Sequence, residues 1–481
     1  MPNDVIIAQS RIELRDAHDC TDSADTLAIF EALFDALVRR GPDGRFQPAL
    51  AESWTLSPDA RTWTFRLRPG LTFHDGSILD AAAIRFSIER MMRPEIGATL
   101  GAPAVWGQYL TGAKVETPDT RTVTVTTVEP TADLLDVLVS GYALPPHAAG
   151  QPGFTEHPIG SGAYAIEATT PGEEIRMTAN PNWWGGSVAN PSLIWRYVAG
   201  STDRAAALLD GGVQIATRID PSDAEALGLA SGTTRVDHID TTAIIYLLNS
   251  ASGPFSDPRV RRAVNLAVDG SALVETVLGG AAQPLSGFVS PSHIGSGSDT
   301  SGTNHDPDAA RALLAEAGFG DGLTLGVDCP TRLPDEAEAL THAVAEQLGA
   351  VGITFEVHKV EDRTRYAERV RDKQIHDMCV FDSSPMSTFR VLNEKIDSRN
   401  QGSWWQGYRN VEVERLLDRS RITVEDAERE QLHNQCFALL CEDPPWLYLY
   451  NHTRVLGLAG EHAGFSMRAD GILDVTALPT F

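Results

Sequence analysis

The first side chains that could do chemistry are the neighbouring imidazole and carboxylate at His74-Asp75-Gly76. A His-Asp pair could belong to a catalytic triad or ligate a metal. A triad of the hydrolase type also needs a nucleophile in a G-x-S-x-G turn, and the chain has no such motif. Asp-Gly is a common turn pair. The pattern therefore predicts a turn at the end of a hairpin, next to a helix cap.

The glycine-rich tripeptide Gly160–Gly162 could cradle a phosphate. It lacks both the G-x-x-x-x-G-K-[ST] and the G-x-G-x-x-G patterns that phosphate and dinucleotide sites require. We expect a tight structural crossing instead, built on the freedom of glycine at positive φ.

Thiols and imidazoles raise the question of a metal. The five cysteines are Cys20, Cys329, Cys379, Cys436 and Cys441, and none of them form a C-x-x-C pair. An odd count without paired spacing favours neither a zinc site nor a full disulfide framework. Cys436 and Cys441 are expected to pack as small apolar side chains.

The loop "DAHDCTD" places His18 and Cys20 among three aspartates. This composition suits a borderline metal ion. The spacing is irregular and contains no His-x-x-x-His pair, so we expect an acidic, solvated loop and no resident metal, with a metal role as the alternative.

Bulk composition excludes several classes of protein. The net charge of −26 would repel nucleic-acid phosphates and anionic membranes, so neither is an expected partner. A length of 481 residues suggests two or three domains. No apolar window is long enough for a transmembrane helix. The N-terminus shows no signal peptide, so the chain is either cytoplasmic or a mature form whose leader was replaced by a start Met.

Strands and helices alternate along the chain, which predicts an α/β architecture with mixed sheets. A helix is expected across 23–40, where Ile29, Leu33 and Leu37 recur at helical spacing after the N-cap Ser23. The alternating segment "TWTFRLRP" is expected to pair, across Pro69-Gly70, with a second strand at "LTFHDG".

Five segments, in order, carry a family resemblance: "LAESWTLSPDARTWTFRLRPGLTFHDGSILDAAAIRFSIERM", "HPIGSGAYAI", "NPNWWGG", "DPRVRRAVNLAVDGSALVETVLGGAAQP" and "DPDAARALLAEAGF". Together they resemble the family 5 extracellular solute-binding proteins, the peptide- and nickel-type receptors of ATP-binding-cassette importers. The resemblance runs from about residue 4 to 455.

The resemblance implies a bilobal, periplasmic-binding-protein type II-like α/β fold with a hinge, and no catalytic chemistry or cofactor. Lobe I would comprise residues 1–247, with an extra subdomain at about 40–155, completed by 453–481; lobe II would comprise 248–452. The chain would cross between lobes near Tyr246–Ser252 and Tyr448–Arg454. Closure of such a hinge is driven by the ligand's greater affinity for the closed state.

The segment Cys379–Leu392 is similar to the family's "W-x-x-D-x-x-D-P" cleft segment. Peptide receptors carry an Asp four residues before the proline, to pair with the ligand's ammonium group. Phe381 occupies that position here, which argues against a peptide ligand. The polar residues that remain are predicted to bind the solute: Asp382, Ser383, Ser384 and Arg390. A guanidinium suits a carboxylate or phosphate; the alternative for Arg390 is a surface position on the next helix.

Aromatic side chains complete the predicted site. The loop "GSWWQGY" contains three candidate ligand contacts, Trp404, Trp405 and Tyr408. Trp404 or Trp405 could stack on a flat ligand or cap a cation, or else one of the two belongs to the core; the alternative for Tyr408 is a family position that precedes a helix. Trp106 is a candidate from the opposite wall. Because the N-terminal loop borders the cleft in this family, His18 and Cys20 are also candidate ligand contacts.

The expected function is capture of a small polar or amphipathic solute (peptide-like, opine-like or a metal chelate) by a monomer that delivers it to a membrane permease. The location would be extracytoplasmic, either periplasmic or lipid-anchored at the cell surface. The alternative is a soluble relative without an importer, acting in the cytoplasm as an enzyme or a sequestering protein. A transcriptional regulator would need a helix-turn-helix segment and a basic face, and neither is visible in the sequence.

Overall fold

The computed structural model describes residues 4–19, 23–97, 105–297, 305–331, 334–383 and 387–481. These residues divide into two compact units. The first contains the residues before Ile239 and those from Thr453 onwards, and the second contains Ile239–His452. No helix among the described residues is long and apolar enough to cross a membrane.

The first part of the chain forms these elements: β1 Val5–Gln9, α1 Ala24–Leu33, β2 Val38–Arg40, β3 Phe46–Pro48, β4 Ala51–Leu56, β5 Thr62–Leu67, α2 Ala81–Met91, α3 Val105–Leu110, β6 Lys114–Asp119, β7 Thr122–Thr126, α4 Leu135–Leu138, β8 Tyr164–Thr170, β9 Glu174–Ala179, β10 Ser192–Tyr197, α5 Ser201–Leu209, β11 Ile215–Ile219, α6 Glu225–Leu229 and β12 Thr233–Leu248.

The remainder forms α7 Pro258–Ala267, α8 Gly270–Leu278, β13 Ala282–Pro284, α9 Pro307–Glu316, β14 Leu323–Pro330, α10 Ala337–Gly349, β15 Ile353–Val360, α11 Arg363–Arg371, β16 Met378–Ser383, α12 Thr388–Val391, a π-helical segment Leu392–Ile396, α13 Val411–Ile422, α14 Asp426–Glu442 and β17 Trp446–Ala459. Strand β12 extends from the first unit into the second, and β17 extends back.

The sheet of the first unit is mixed, as expected for an α/β protein. Strand β1 lies between β10 and β11 and is parallel to both. Strands β9 and β8 continue antiparallel from β10, and the end of β17 pairs antiparallel with β11. The apolar residues of β1 and α1 are buried together in one core cluster. The side-chain amide of Gln9, at the carboxyl end of β1, donates to the Asp25 carbonyl in the first turn of α1.

A separate four-stranded antiparallel sheet in the first unit has the order β4-β5-β7-β6. The predicted hairpin between "TWTFRLRP" and "LTFHDG" is wrong. Both edges of β5 are already paired, with β4 on one side and β7 on the other, so no edge is left for the following segment. The predicted turn at His74-Asp75-Gly76 is confirmed: the Gly76 amide donates to the Phe73 carbonyl at 2.9 Å.

Helix α1 ends at Leu33 rather than running to Arg40 as predicted, and the residues after it form β2. The Gly160–Gly162 crossing packs against this helix end, where the Gly162 amide donates to the Leu33 carbonyl at 2.9 Å. A Cβ atom at Gly160 would collide with the same carbonyl oxygen. Neither Gly160 nor Gly162 adopts positive φ. Close approach, rather than backbone freedom, is the reason for glycine here.

The second unit contains a sheet in the order β15-β14-β16-β12-β17. Strand β14 is parallel to β15 and β16, while β12 is antiparallel to β16. The predicted capped helix at "DPDAARALLAEAGF" is confirmed as α9, whose N-cap Asp306 accepts from the Ala309 amide. Cys436 is buried in an apolar cluster, as predicted.

Candidate functional site

Two of the predicted ligand residues, Asp382 and Ser383, lie at the end of β16 in the second unit. Phe381 is 3% exposed, with its ring stacked on Tyr366 and its centroid 4.6 Å from that of Trp404. The aromatic residue in the place of the family's Asp therefore belongs to a packed aromatic group. Asp382 is half-buried, and Ser383 is 2% exposed. Ser384 lies outside the described residues.

Arg390 lies on α12, and its side chain is only 12% exposed, so it is not the surface residue of the alternative interpretation. Its guanidinium Nε donates to the Glu394 carboxylate at 2.8 Å, one helical turn away. The adjacent Lys395 is also buried, and its Nζ lies 3.3 Å from the Ser383 hydroxyl. The second unit thus brings Ser383 and Arg390 into one buried, charged neighbourhood beside β16.

The buried charges lie on an unusual element, the π-helical segment Leu392–Ile396. Such segments are rare and often occur at functional sites. Asp397 follows directly, with no exposed side-chain surface, and accepts hydrogen bonds from Arg399 and Arg421. Burial by itself would raise the pKa of Asp397, but these hydrogen bonds outweigh burial and hold the pKa below its ordinary value.

The side chains of the aromatic loop have two different roles. Trp404 packs on Phe381, at the edge of the core cluster. The Trp405 indole donates to the Tyr408 carbonyl at 2.6 Å, and Tyr408 is itself 3% exposed, with its hydroxyl donating to the Asp443 carbonyl at 2.9 Å. Burial raises the pKa of Tyr408. Trp404 therefore packs against Phe381 of β16, whereas Trp405 and Tyr408 brace the loop.

The candidates of the first unit, His18 and Trp106, are buried together. His18 is fully buried; its Nε2 donates to the Tyr142 carbonyl at 2.8 Å and its Nδ1 accepts from Arg90 at 3.0 Å. Burial lowers the pKa of His18 to about 4. The Trp106 indole donates to the His18 carbonyl at 2.8 Å. Both imidazole nitrogens are thus engaged within the protein. Cys20 lies outside the described residues.

A small cavity at the carboxyl end of β1 was not anticipated from the sequence. Gln9 lines it and is fully buried; its amide nitrogen donates to the Arg11 and Asp25 carbonyls, while its Oε1 has no hydrogen-bond partner among the described residues. Arg218 lines the same cavity with φ of 51°, a conformation rare for a residue other than glycine.

A signal for this cavity exists in the sequence. The apolar strand "VIIAQ" ends in a polar residue just before a loop and helix. Ligands of open α/β sheets bind outside the carboxyl ends of parallel strands. A polar side chain at the end of β1 therefore indicates a candidate ligand site.

Comparison with known families decides the class of the protein. Residues 45–389, more than half of the chain, match the family model described as bacterial extracellular solute-binding proteins, family 5. The chain belongs to this family. Its members are solute-binding proteins that work with the permeases of ATP-binding-cassette importers, and the family is periplasmic or otherwise extracytoplasmic.

The likeness of this solute-binding protein to individual relatives extends over nearly the full chain. It is 26% identical to the glutathione-binding protein GsiB of Shigella boydii serotype 4, covering 97% of this chain and 92% of the relative. The same identity and coverage hold for GsiB of Escherichia coli O157:H7.

Solved structures agree on the fold. AgaA of A. tumefaciens R10, in complex with agropinic acid, has a TM-score of 0.80 at 23% identity, with 98% of each chain covered. NikA of Brucella suis, in complex with Fe(III)-EDTA, has a TM-score of 0.81 at 21% identity, covering 99% of this chain and all of that one. The expected periplasmic-binding-protein architecture is confirmed.

Proposed function

We propose that this protein captures a small, carboxylate-bearing polar solute, either peptide-like, opine-like or a metal chelate, and delivers it to an importer permease. The observation that carries the proposal is the charged group of Arg390, Glu394 and Lys395, of which Glu394 and Lys395 are buried. Lys395 lies 3.3 Å from Ser383 of β16, the strand that also carries Phe381 of the Phe381–Trp404 aromatic pair. Buried charges are costly unless they are paired, and in this proposal the protein retains them because they recognise the solute.

Arg390 is the proposed carboxylate contact. The ion pair with Glu394, made through Nε and Nη2, would orient the planar guanidinium for a ligand carboxylate. Trp404 would cover a flat or apolar part of the solute, and Asp382 with Ser383 would bind its polar groups. These roles need no catalytic chemistry, and the proposal treats the protein as a receptor rather than an enzyme.

Capture is proposed to occur by hinge closure. In this proposal residues 1–247 with 453–481 form one lobe, 248–452 form the other, and the solute binds the closed state more tightly than the open state. Relatives named for glutathione, and a structural neighbour solved with agropinic acid, indicate that the fold accommodates small polar solutes. The protein is proposed to act as a monomer at an extracytoplasmic location.

The test is a thermal-shift screen of glutathione, dipeptides, opine-like conjugates and metal chelates, followed by calorimetric titration of each hit. We expect one solute class to bind with one site per chain. A solute at 100 times its Kd should stabilise the fold by about 2.7 kcal/mol.

Two variants separate the receptor function from the assignment of Arg390. Arg390→Gln should weaken binding of a carboxylate ligand by about 10- to 100-fold, because a charge-assisted hydrogen bond is lost. Arg371→Gln, on a partly exposed arginine of α11, is the matched control and should bind normally. Absence of binding by every class would contradict the receptor function. Binding that Arg390→Gln leaves unchanged would contradict only the carboxylate contact.

A further inference from the structure

A cavity in the first unit contains none of the proposed solute contacts. It lies just beyond the carboxyl end of α1, where Asp35 and the Trp183-Trp184 pair meet the C-terminal segment that carries Arg468 and Asp474. Its volume is about 50 Å³. Since one water molecule needs about 10–15 Å³ of such space, the cavity has room for roughly three or four water-sized groups.

The wall of this cavity carries an excess of negative charge. Three carboxylates and two guanidinium groups line it: Glu31, Asp35, Asp474, Arg39 and Arg468. Arg468 forms ion pairs with both Glu31 and Asp470, so two carboxylates share its charge. Asp35 and Asp474 have no ion-pair partner among the described residues.

Asp35 has hydrogen-bond donors around it but no paired cation. The Ser161 hydroxyl and the Trp183 indole donate to its carboxylate at 3.1 Å and 3.3 Å. The Trp184 indole also acts on this carboxylate, although its buried Nε1 makes no hydrogen bond of normal geometry. Arg39 acts on it from an exposed position without forming an ion pair. Burial outweighs these contacts and raises the pKa of Asp35 to about 6.

The Tyr142 hydroxyl is a second polar group available at this cavity. Tyr142 is 3% exposed, and its side chain lines the cavity. Its ring packs against Phe30 and Phe34 with centroids 5.9 Å and 5.8 Å away, and its hydroxyl has no hydrogen-bond partner among the described residues. Burial, and next the charge of Glu31, raise the pKa of Tyr142, so the hydroxyl lies near the carboxylates and stays protonated. A buried hydroxyl needs a partner, and this one can accept from a ligand.

We propose that this cavity binds the primary ammonium group of a small amine. An ammonium group has three N–H donors and a positive charge. Asp35 supplies the opposite charge, the Tyr142 hydroxyl accepts a second hydrogen bond, and the rings of Trp183 and Phe34 in the cavity wall attract a cation. A cation here favours the ionised carboxylate that burial disfavours. The solute site and this cavity share no residue, so each proposal can fail without the other.

The experiment is a ¹⁹F NMR titration of fluorotryptophan-labelled protein with n-propylammonium chloride at constant ionic strength. Trp183→Phe and Trp184→Phe assign the two resonances from the cavity. We expect both resonances to shift saturably with a Kd on the order of 1 mM, which lies within the limit for a ligand of four non-hydrogen atoms. n-Propanol, which is neutral and of similar size, should cause no saturable shift.

The pH dependence of binding identifies the carboxylate. Affinity should rise about 10-fold from about pH 5 to about pH 7, because Asp35 ionises in this range while the amine stays charged. Asp35→Asn should weaken binding at least about 10-fold and remove the pH dependence. Burial also raises the pKa of Glu31, so this variant decides which carboxylate is responsible.

Two further variants test the remaining contacts. Tyr142→Phe keeps the ring, and should weaken binding about 10-fold while the pH dependence remains. Asp210→Asn, at an exposed carboxylate of the same unit, is the control and should bind normally. Circular dichroism checks that each variant folds. Lack of a saturable shift up to about 50 mM propylammonium, well above the expected Kd, would overturn the proposal. Unchanged affinity in Asp35→Asn, or an equal response to n-propanol, would overturn it as well.

Discussion

At the scale of single residues, Asp35 in the first unit is unusual because several donors converge on one carboxylate. The Ser161 hydroxyl donates to it at 3.1 Å and the Trp183 indole at 3.3 Å. The backbone amide of Asp35 also donates to the Ser161 hydroxyl. Even so, burial raises the pKa of Asp35 from 3.8 to about 6. The hydrogen bonds hold the carboxylate in place, but ionisation of Asp35 costs free energy in the folded state.

Asp35→Asn should therefore stabilise the protein at neutral pH. A folded-state pKa above the unfolded value means that stability falls as pH rises from about 4 to about 6, by roughly 2 kcal/mol after allowance for partial exposure. The amide still accepts hydrogen bonds but does not titrate. Denaturant unfolding should show the gain in stability growing across this window and staying constant above pH 7.

Trp183→Phe serves as the comparison for this effect. Removal of the indole donor should raise the pKa of Asp35 further, so the loss of stability should become larger and extend to higher pH. A difference in unfolding free energy between the parent protein and Asp35→Asn that stays constant from pH 4 to pH 8 would show that Asp35 does not titrate in this range.

The roles and partners of the site residues could be predicted only in part from the sequence. The Phe381 substitution at the family's Asp position was visible, and its burial in an aromatic group explains what replaced the charge. The engagement of both nitrogens of His18 was not visible, because its partners Arg90 and Tyr142 are distant in the chain. Side-chain partners of this kind depend on contacts that no local pattern records.

At the scale of elements, the π-helical segment and α13 are joined by a buried ion network. The side chain of Asp397 has no exposed surface, while its partners Arg399 and Arg421 are 40% and 22% exposed. The same two arginines also contact Asp418, which is 57% exposed. One carboxylate is therefore buried and the other lies at the surface, with shared partners.

Asp397→Asn should destabilise the fold by about 3 kcal/mol, because loss of one member of a buried pair leaves its partners uncompensated. Asp418→Asn removes the same charge from the same arginines at the surface and should cost about 0–1 kcal/mol. Urea unfolding of both variants at pH 7 measures the difference. Equal losses of unfolding free energy in the two variants would show that burial of Asp397 contributes nothing to stability.

Helices and strands were predicted correctly where local sequence signals determine them. They were predicted wrongly where pairing with neighbouring strands determines the structure. Helix α9 has an N-cap Asp and a Pro at its start, and it forms as predicted. The hairpin expected after β5 fails because β4 and β7 already occupy both edges of that strand. Alternation of apolar residues identifies a strand but does not identify its partners.

At the scale of the whole molecule, β12 and β17 are the strands that extend from one unit into the other. Just before β17 leaves the second unit, Tyr450 donates to Glu336 at 2.6 Å and His452 Nε2 lies 2.7 Å from the same carboxylate oxygen. Burial by itself would raise the pKa of Glu336, but its hydrogen bonds and the charge of His452 lower the pKa to about 2.

Glu336→Gln should cost about 2–3 kcal/mol of stability at pH 7. A depressed folded-state pKa gives stability that is fully present above about 4.5 and is lost as pH falls toward about 2. The difference from the parent protein should therefore narrow between pH 5 and pH 3 in denaturant unfolding. Glu338→Gln, at a partly exposed position in the first turn of α10, is the control. A difference that is constant across this range would exclude the ionised Glu336 as its cause.

The order of family segments in the sequence was sufficient to establish the family, the α/β class and the receptor function, because these depend on motifs that lie within short stretches of chain. It also identified the position where the family's Asp is replaced. Folding supplied the rest: the near burial of Arg390 beside Glu394, an oxygen of Gln9 that has no hydrogen-bond partner among the described residues, and the stacking of His358 on His376. Each of these depends on how a side chain is buried or on which residues distant in sequence lie beside it, and burial and partnership are set by packing.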